Sequence, residues 1–425
     1  MALRTSVRGD RWTAASLCRR GPEDGDVVLL IHGTPSWSYL YRKMIPVLVD
    51  AGYRVIAMDH LGMGRSDKPT NIEYYSYLRH ADRMERFIEQ LDLRDITLFV
   101  QDWGSLVGLR VAGLNLDRFA RISLGNGDLP NVPAEDAFDF GIDDPDVVED
   151  IPYPYRNMPA QQPEFYDGCE LIQETVVEVF GTDGFDAWVL YAMKGASFTA
   201  GEVVESQSYF DVPDDEIAAY DAPFPSRIYM GGPRTFPSLA QELAGVNEEA
   251  AAELFAFTRP FLTLFGTNDP ANLGRCENQD RFICDIPGAA GQPHARIPQA
   301  AHYLQDDQGE EVARRMVAWM QEDRSITGNH TADCAPDQEP LGGFGNACEA
   351  DTDCSGQEAN ACLIIPGQEG FCTIEGCAAG SCGEPFLCCR ECAPEAAAQL
   401  PFEESACLPQ EAAGQLIAGA GCTCD

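Results

Sequence analysis

Three polar residues of the chain, Asp102, Asp269 and His302, could together carry out a nucleophilic displacement followed by hydrolysis. A carboxylate can attack carbon and form an ester, and a histidine oriented by a second carboxylate can activate the water that cleaves it. Each residue also has an ordinary structural interpretation. The two aspartates could cap a helix or a turn, and the histidine could be hydrogen-bonded in a core. The catalytic hypothesis therefore depends on the elements that carry them.

Asp102 stands where a predicted strand turns sharply into a predicted helix. The β-branched and aromatic run Ile96–Val100 is typical of a buried strand, and the apolar stretch Leu106–Ala112 is typical of a helix. A strand, sharp turn and helix of this kind form a nucleophile elbow, which exposes its central side chain at the top of a parallel sheet. Gly104 lacks a Cβ and lets strand and helix pass closely. Since related layouts usually carry serine there, an aspartate indicates attack on carbon rather than on an acyl group.

The acid and the histidine follow the elbow in a consistent order. Asp269 comes after the strand-like run Phe261–Phe265, and His302 precedes the helix-like stretch Val312–Met320. Nucleophile, acid and then histidine is the chain order of the α/β-hydrolase triad. Three groups in this order at predicted strand ends are far more specific than any one of them. His294 lies close by in sequence and stays open as an alternative base.

A turn upstream of the elbow could stabilise negative charge. The buried-strand pattern Val27–Ile31 leads into the turn His32–Trp37. Backbone N–H groups in such a turn can hold an oxyanion.

The chain resembles the haloalkane dehalogenases of the α/β-hydrolase superfamily over roughly residues 15–323. The segments that carry the resemblance are His32–Pro46, Asp59–Pro69, Val100–Gly104, Gly184–Trp188, Ala222–Pro225 and Ala301–Gln305. The resemblance implies hydrolysis of small halogenated alkanes to alcohol and halide through an ester on Asp102, with His302 as base and Asp269 as the acid that orients it. It implies haloalkane, water and halide as partners, with no cofactor and no metal.

The resemblance also implies roles for the residues around the triad. Trp103 and Trp188 match the two tryptophans whose indole N–H groups hold the departing halide. Phe185 and Phe224 match aromatic walls of the pocket, and Thr34 together with Trp103 matches the oxyanion hole. A halide leaves as a stable anion and needs no proton, so two N–H donors in a dry pocket suit it. Core packing is the structural alternative for each tryptophan.

Three positions depart from the family pattern or compete with it. Thr34 stands where relatives carry Glu or Asn, so only its backbone is assigned to the oxyanion hole. Leu106 replaces an aromatic residue and would reshape the pocket. Asp128 lies near the strand end that supplies the acid in a sister subfamily, but we favour Asp269.

The chain is predicted to contain three parts. Residues 1–132 and 238–323 would form an α/β-hydrolase core, and residues 133–237 would form a helical cap inserted into it. A cap over the strand ends would exclude water from the pocket. Residues 325–425 would form a small, disulfide-rich tail module.

The tail differs from the rest of the chain in its cysteine content. It holds 13 of the 17 cysteines, from Cys334 to Cys424. This density favours disulfides, although Cys389 and Cys392 leave a zinc site as the alternative. The tail is expected to contact protein or a cell surface. Localisation is open: the resemblance implies the cytoplasm, the cysteines favour export or the periplasm, and no signal peptide is visible.

The formal net charge of −39 disfavours binding to nucleic acid or to anionic membranes. No stretch approaches the ~20 apolar residues that span a bilayer.

Two other functions stay open on the sequence. Epoxide hydrolysis would use the same triad with cap tyrosines as donors, and Tyr166, Tyr191 and Tyr209 lie in the predicted cap. A non-catalytic binding protein is the second alternative.

Overall fold

The chain forms two compact units, Met1–Cys334 and Ala335–Asp425. The computed structural model describes residues 14–134, 139–142, 144, 147–151, 153–154, 184–269, 272–332 and 334. It also describes the backbone of short strands at Val7–Arg8, Tyr166–Asp167, Glu170–Leu171, Ala347–Cys348, Ala361–Leu363, Gly370–Thr373, Phe386–Arg390, Ser405–Pro409 and Thr423–Cys424.

A seven-stranded sheet lies at the centre of the first unit. Its strands are β1 (Leu17–Arg20), β2 (Val27–Ile31), β3 (Arg54–Met58), β4 (Ile96–Gln101), β5 (Phe119–Gly125), β6 (Phe261–Gly266) and β7 (Ala295–Ile297). Their order across the sheet is β7-β6-β5-β4-β2-β3-β1. All neighbours pair in parallel except the edge strand β1, which is antiparallel to β3. Strands β2, β4 and β6 are buried along their whole length, as expected of parallel strands covered on both faces.

Helices cover both faces of the sheet. Before the segment that joins β5 to β6 lie α1 (Met44–Asp50), α2 (Tyr77–Gln90) and α3 (Trp103–Leu114), and after β6 lie α9 (Cys276–Asp285), α10 (Leu304–Asp307) and α11 (Gly309–Met320). Alternate residues of β2 belong to different cores, because Leu29 packs with α2 and α3 whereas Leu30 packs with α1 and α11. The predicted α/β fold is confirmed.

The segment between β5 and β6 is largely helical where the structure describes it. It contains α4 (Gly184–Lys194), α5 (Ala200–Ser206), α6 (Asp214–Asp221), α7 (Gly231–Thr235) and α8 (Glu248–Phe255). Short 3₁₀ helices occupy Ser38–Arg42, Ile72–Tyr74, Leu116–Arg118, Arg227–Met230, Phe236–Glu242, Asn272–Gly274 and Pro287–Ala289. An aromatic core, which includes Trp188, Tyr191 and Tyr220, joins this segment to Trp37 and Tyr303. The helix Phe236–Glu242 crosses the predicted cap boundary at 237, and the boundaries of the three parts stay predictions.

One disulfide joins the start of the predicted tail to the helical core. Cys334 is bonded to Cys284 on α9. Cys276 at the start of α9 is also disulfide-bonded, and Cys18 is free. The side chains of the later tail cysteines lie outside the described residues, so the predicted disulfide-rich module stays a prediction. Within the part of the chain that the structure describes, each helix is too short or too polar to cross a bilayer.

Candidate active site

Asp102 occupies the tight turn between β4 and α3. Its backbone has φ 52°, in the left-handed region that non-glycine residues rarely adopt. Such a conformation costs about 1–3 kcal/mol and persists only where the surroundings impose it. Here the Asp102 N–H donates to the carbonyl of Asn126 at 2.9 Å, and a side chain at Gly104 would collide with the carbonyl of Ile31. The predicted elbow therefore exists, with Asp102 at its apex.

The two carboxylate oxygens of Asp102 have different surroundings. The backbone N–H of Thr34 donates to Oδ2 at 2.7 Å. His302 Nε2 lies 3.4 Å from Oδ1. Gly33 makes this approach possible, because a Cβ at that position would overlap the carboxylate. One oxygen is thus held by the turn after β2, and the other faces the histidine.

His302 lies between the two carboxylates. Its Nδ1 is 3.0 Å and 3.1 Å from the two oxygens of Asp269, whose side chain is fully buried. Burial by itself would lower the pKa of His302, but the charges and hydrogen bonds of Asp269 and Asp102 outweigh it and raise the pKa to about 10. The ring thus donates from Nδ1 to Asp269 and turns Nε2 towards Asp102.

Two polar side chains that the sequence analysis did not single out hold the histidine loop. Gln101, the last residue of β4, donates from Nε2 to the carbonyl of His302 at 3.0 Å. Asn126, directly after β5, donates to the carbonyls of Ala301 at 2.7 Å and His302 at 3.2 Å, and accepts from the N–H of Gly266. A polar residue at the end of an apolar parallel strand, or directly after it, was the signal that could have revealed both.

The two competing residues have other partners. His294 accepts at Nδ1 from the N–H of Thr263 at 3.1 Å and donates from Nε2 to the carbonyl of Ala289 at 2.8 Å, and burial lowers its pKa to about 4. Asp128 forms an ion pair with Arg281 and accepts from the N–H of Leu129 at 2.7 Å. The structure brings Asp269, and not Asp128, into hydrogen-bond contact with His302.

A mostly apolar cavity of about 180 Å³ opens beside the elbow. Residues from the core and from the segment between β5 and β6 line it: Thr34, Asp102, Trp103, Leu106, Pro130, Val132, Phe185, Trp188, Gln207, Ala240, Leu243, Leu273, His302 and Tyr303. A cavity of this kind holds a small apolar ligand and excludes most water.

The cavity is lined by three of the four residues that were predicted to bind halide or to form the pocket walls. Trp103 and Trp188 both line it and are 4% and 8% exposed. Phe185 also lines it, whereas Phe224 is buried in the aromatic core of the cap segment and is not part of the lining. The role of Phe224 as a pocket wall therefore stays a prediction, as does halide binding by the tryptophans.

Among the described residues, Tyr191 and Tyr209 of the predicted cap do not line this cavity. The hydroxyl of Tyr191 lies 3.3 Å from the carboxylate of Glu202. Tyr209 is held by its backbone N–H on Asp307, and the side chain of Tyr166 lies outside the described residues. Tyr303 does line the cavity, but its hydroxyl donates to the carbonyl of Thr34 at 3.1 Å. Among the described residues, the geometry favours a substrate whose leaving group needs no proton from tyrosine.

The amino-acid sequence is similar to those of known proteins. The model of the alpha/beta hydrolase fold family matches residues 26–307. A haloalkane dehalogenase of Mycolicibacterium paratuberculosis is 41% identical over 306 residues, which cover 71% of this chain and 85% of that relative. A haloalkane dehalogenase of Psychrobacter cryohalolentis is 39% identical over 305 residues, with the same shares of 71% and 85%.

Solved structures show the same fold. A haloalkane dehalogenase of Paraglaciecola agarilytica superposes with a TM-score of 0.57 at 25% identity, covering 74% of this chain and 91% of that one. A second, from Bradyrhizobium elkani, has a TM-score of 0.55 at 20% identity, covers 76% and 98% of the two chains, and supports the fold alone.

Proposed function

The chain belongs to the haloalkane dehalogenase family, and on that premise we propose that it hydrolyses small halogenated alkanes to alcohol and halide with Asp102, His302 and Asp269 as its triad. The observation that carries the proposal is the environment of the Asp102 carboxylate. One oxygen accepts a hydrogen bond from the Thr34 N–H at 2.7 Å, and the other faces His302 at the edge of an apolar cavity. A carboxylate so held is an oriented nucleophile for carbon.

In the first step, Asp102 Oδ1 attacks the carbon that bears the halogen. A carbon–oxygen bond forms, the carbon–halogen bond breaks, and its electron pair leaves with the halide. The indole N–H groups of Trp103 and Trp188 are proposed to stabilise the departing anion in the poorly hydrated cavity. Oδ2 stays on the Thr34 N–H and becomes the carbonyl oxygen of the ester.

In the second step, water cleaves this ester. His302 accepts a proton from water, and the resulting hydroxide attacks the ester carbon of Asp102. The negative charge then develops on Oδ2, where the backbone N–H groups of Thr34 and Trp103 are proposed to act as the oxyanion hole. Collapse of this intermediate breaks the bond between the ester carbon and the alkoxy oxygen, and the departing alkoxide takes the proton from the His302 imidazolium and leaves as the alcohol. The Asp102 carboxylic acid then loses its remaining proton to water, which restores the carboxylate.

The charge balance of the site favours this order of events. In the free enzyme the carboxylates of Asp269 and Asp102 keep the pKa of His302 raised. Esterification removes the charge of Asp102, so the histidine binds its proton less tightly and becomes available as a base. Asp269 retains its charge and keeps the ring oriented.

For the tail we propose a disulfide-rich module that contacts protein or a cell surface. Cysteine density and the Cys284–Cys334 bond support the disulfides. In denatured protein, Cys18 should titrate without reduction, and tail thiols that titrate only after reduction would support the module. Tail thiols that titrate without reduction would contradict it.

Halide release tests the proposed activity. Purified protein is incubated with a panel of bromo- and chloroalkanes, with an epoxide alongside, and compared with Asp102→Asn and the exposed-site control Asp214→Asn. We expect release by the native protein and the control, and loss on the order of 10⁴-fold or more in Asp102→Asn with an unchanged circular-dichroism spectrum. Retained release in Asp102→Asn would exclude this nucleophile, and epoxide turnover without halide release would assign the site to epoxide hydrolysis.

A further inference from the structure

Helix α10 directly follows the histidine loop, residues 301–303, and its side chains contact segments on both sides of that loop. It begins at Leu304, two residues after His302, and it ends with two adjacent carboxylates, Asp306 and Asp307. Removing a carboxylate from water is costly unless ion pairs or hydrogen bonds satisfy it, and here Asp306 is buried and Asp307 is half-buried. The two residues have different partners, and together these partners surround His302.

Asp306 fixes the outer side of α10. Its oxygens accept from the guanidinium of Arg42 at 2.7 Å and 3.1 Å, and one of them accepts from the hydroxyl of Tyr220 at 2.6 Å. Arg42 also pairs with Glu216 on α6. Bidentate arginine–carboxylate contacts are geometrically specific. This ion cluster therefore fastens α10 to a cap helix and to the 3₁₀ helix that follows the oxyanion turn.

Asp307 fixes the inner side. Its carboxylate accepts from the backbone N–H groups of Tyr209 at 2.9 Å, Phe210 at 3.1 Å and Ala301 at 2.9 Å. Burial raises the pKa of Asp307 to about 6, and these three hydrogen bonds oppose that rise. The carboxylate thus joins a cap segment to the residue directly before His302.

The same cap segment holds the histidine backbone. The carbonyl of Gln207 accepts from the N–H of His302 at 3.1 Å, and Gln207 lines the cavity. From the core side, Gln101 and Asn126 donate to the carbonyl of His302. On the core side, the backbone of His302 is therefore held by residues at strand ends. On the other side, its position depends on how firmly residues 207–210 are fastened to the histidine loop.

We propose that Asp307 is a positioning residue for the hydrolytic step, which holds His302 over the ester by fastening the cap segment Gln207–Phe210 to Ala301. The inference rests on the proposed function, because it gives His302 a step of that reaction. It predicts that loss of Asp307 slows hydrolysis of the ester and spares attack by Asp102, whose contacts lie on the sheet side.

The test is Asp307→Asn, followed in single turnover with a bromoalkane. In this variant an NH₂ group replaces one oxygen and faces a backbone N–H, so at least one of the three hydrogen bonds is lost. We expect the rate of halide release in the first turnover to stay within about twofold, and ester hydrolysis to slow about tenfold or more. The alkylated enzyme should accumulate and be visible by intact mass. Parallel loss of both rates, or no change in either, would overturn the inference.

Two further variants separate positioning from general damage. Asp211→Asn removes an exposed carboxylate directly after the segment Gln207–Phe210 and should leave both rates unchanged. Asp307→Glu keeps two acceptor oxygens and should restore part of the hydrolysis rate. If Asp307→Asn does not fold, Asp307→Glu is compared with native protein and should show the same selective loss in weaker form.

A readout without turnover separates this inference from the proposed function. The chain has six histidines, so the ring signals of His302 can be assigned by comparison with His302→Gln in nuclear magnetic resonance spectra. Asp307→Asn should shift or broaden these signals and leave those of the other histidines in place, even if no haloalkane is turned over. Unchanged His302 signals would overturn the positioning role, whereas absence of halide release by the native protein would reject only the proposed reaction.

Discussion

The sheet edge and the cap wall meet at one cavity, but they are built by different interactions. At the sheet edge, Asp102, His302 and Asp269 are joined by polar contacts of 3.0–3.4 Å. On the cap wall, Phe185 and Trp188 of α4 pack among aromatic rings, with the centroid of Trp188 6.0 Å from that of Tyr153. Hydrogen bonds fix direction, whereas apolar packing fixes mainly volume.

This difference predicts that changes in the two regions have different effects on the reaction. Changes at the sheet edge should act on the chemical steps, because they alter the charge or direction of reacting atoms. Changes on the cap wall should act on affinity and substrate range, because they alter cavity shape and a single donor. Variants in each region test whether their effects differ in this way.

Exchanging the acid should have the largest effect among them. Asp269→Asn removes the charge that orients His302, and we expect kcat to fall on the order of 10³–10⁴-fold. Asp128→Asn, the matched variant, removes a carboxylate that is paired with Arg281, and we expect less than about a tenfold loss. Steady-state halide release measures both. A larger loss in Asp128→Asn than in Asp269→Asn would move the acid to the end of β5.

The two tryptophans compare the two regions directly. Trp188→Phe keeps an aromatic ring on the cap wall and removes one N–H donor, so bromide binding should weaken about tenfold. Trp103→Phe makes the same change on the sheet side, next to the nucleophile, and should also slow the first turnover. Fluorescence quenching by bromide and rapid-mixing halide release provide the measurements. Unchanged bromide affinity in Trp188→Phe would remove this residue from the halide site.

A further effect is expected on the pH dependence of stability. The pKa of His302 in the folded protein is about 10, above its ordinary value of 6.5. The folded state therefore binds this proton more tightly, and the stabilisation is complete below about pH 6.5 and lost as the pH rises to about 10. The free energy of unfolding should fall more steeply across this window in native protein than in His302→Gln, as measured by denaturant titration. Equal slopes would show that the histidine is not held between two charges.

The sequence predicted the sheet edge better than the cap wall for a physical reason. A buried parallel strand is an uninterrupted apolar run, so its end, and the polar residue that follows, are visible in the sequence. Asp102, Asp269 and Thr34 lie at such ends, and the structure brings the first two to His302. Phe224 lies on an irregular cap segment, where sequence similarity does not determine which way a ring faces.

Other features depend on long-range contacts that no local pattern reports. The hydrogen bonds from Tyr209 and Phe210 to Asp307 join residues that are 98 and 97 positions apart in sequence. Likewise, the bond between Cys334 and Cys284 could not be read from cysteine spacing, which predicted only that disulfides would form. Gln101 and Asn126 were within reach of sequence reasoning, because Gln101 ends one strand of the sheet and Asn126 directly follows its neighbour.

The proposal that Asp102 attacks carbon and carries the ester has a direct test. His302→Gln, in which hydrolysis of the ester is blocked, is mixed with a bromoalkane, and the intact mass and the peptide masses are measured. We expect one equivalent of released bromide and a mass increase of one alkyl group, located on the peptide that contains Asp102. Release of bromide without an adduct, or an adduct on another residue, would contradict it.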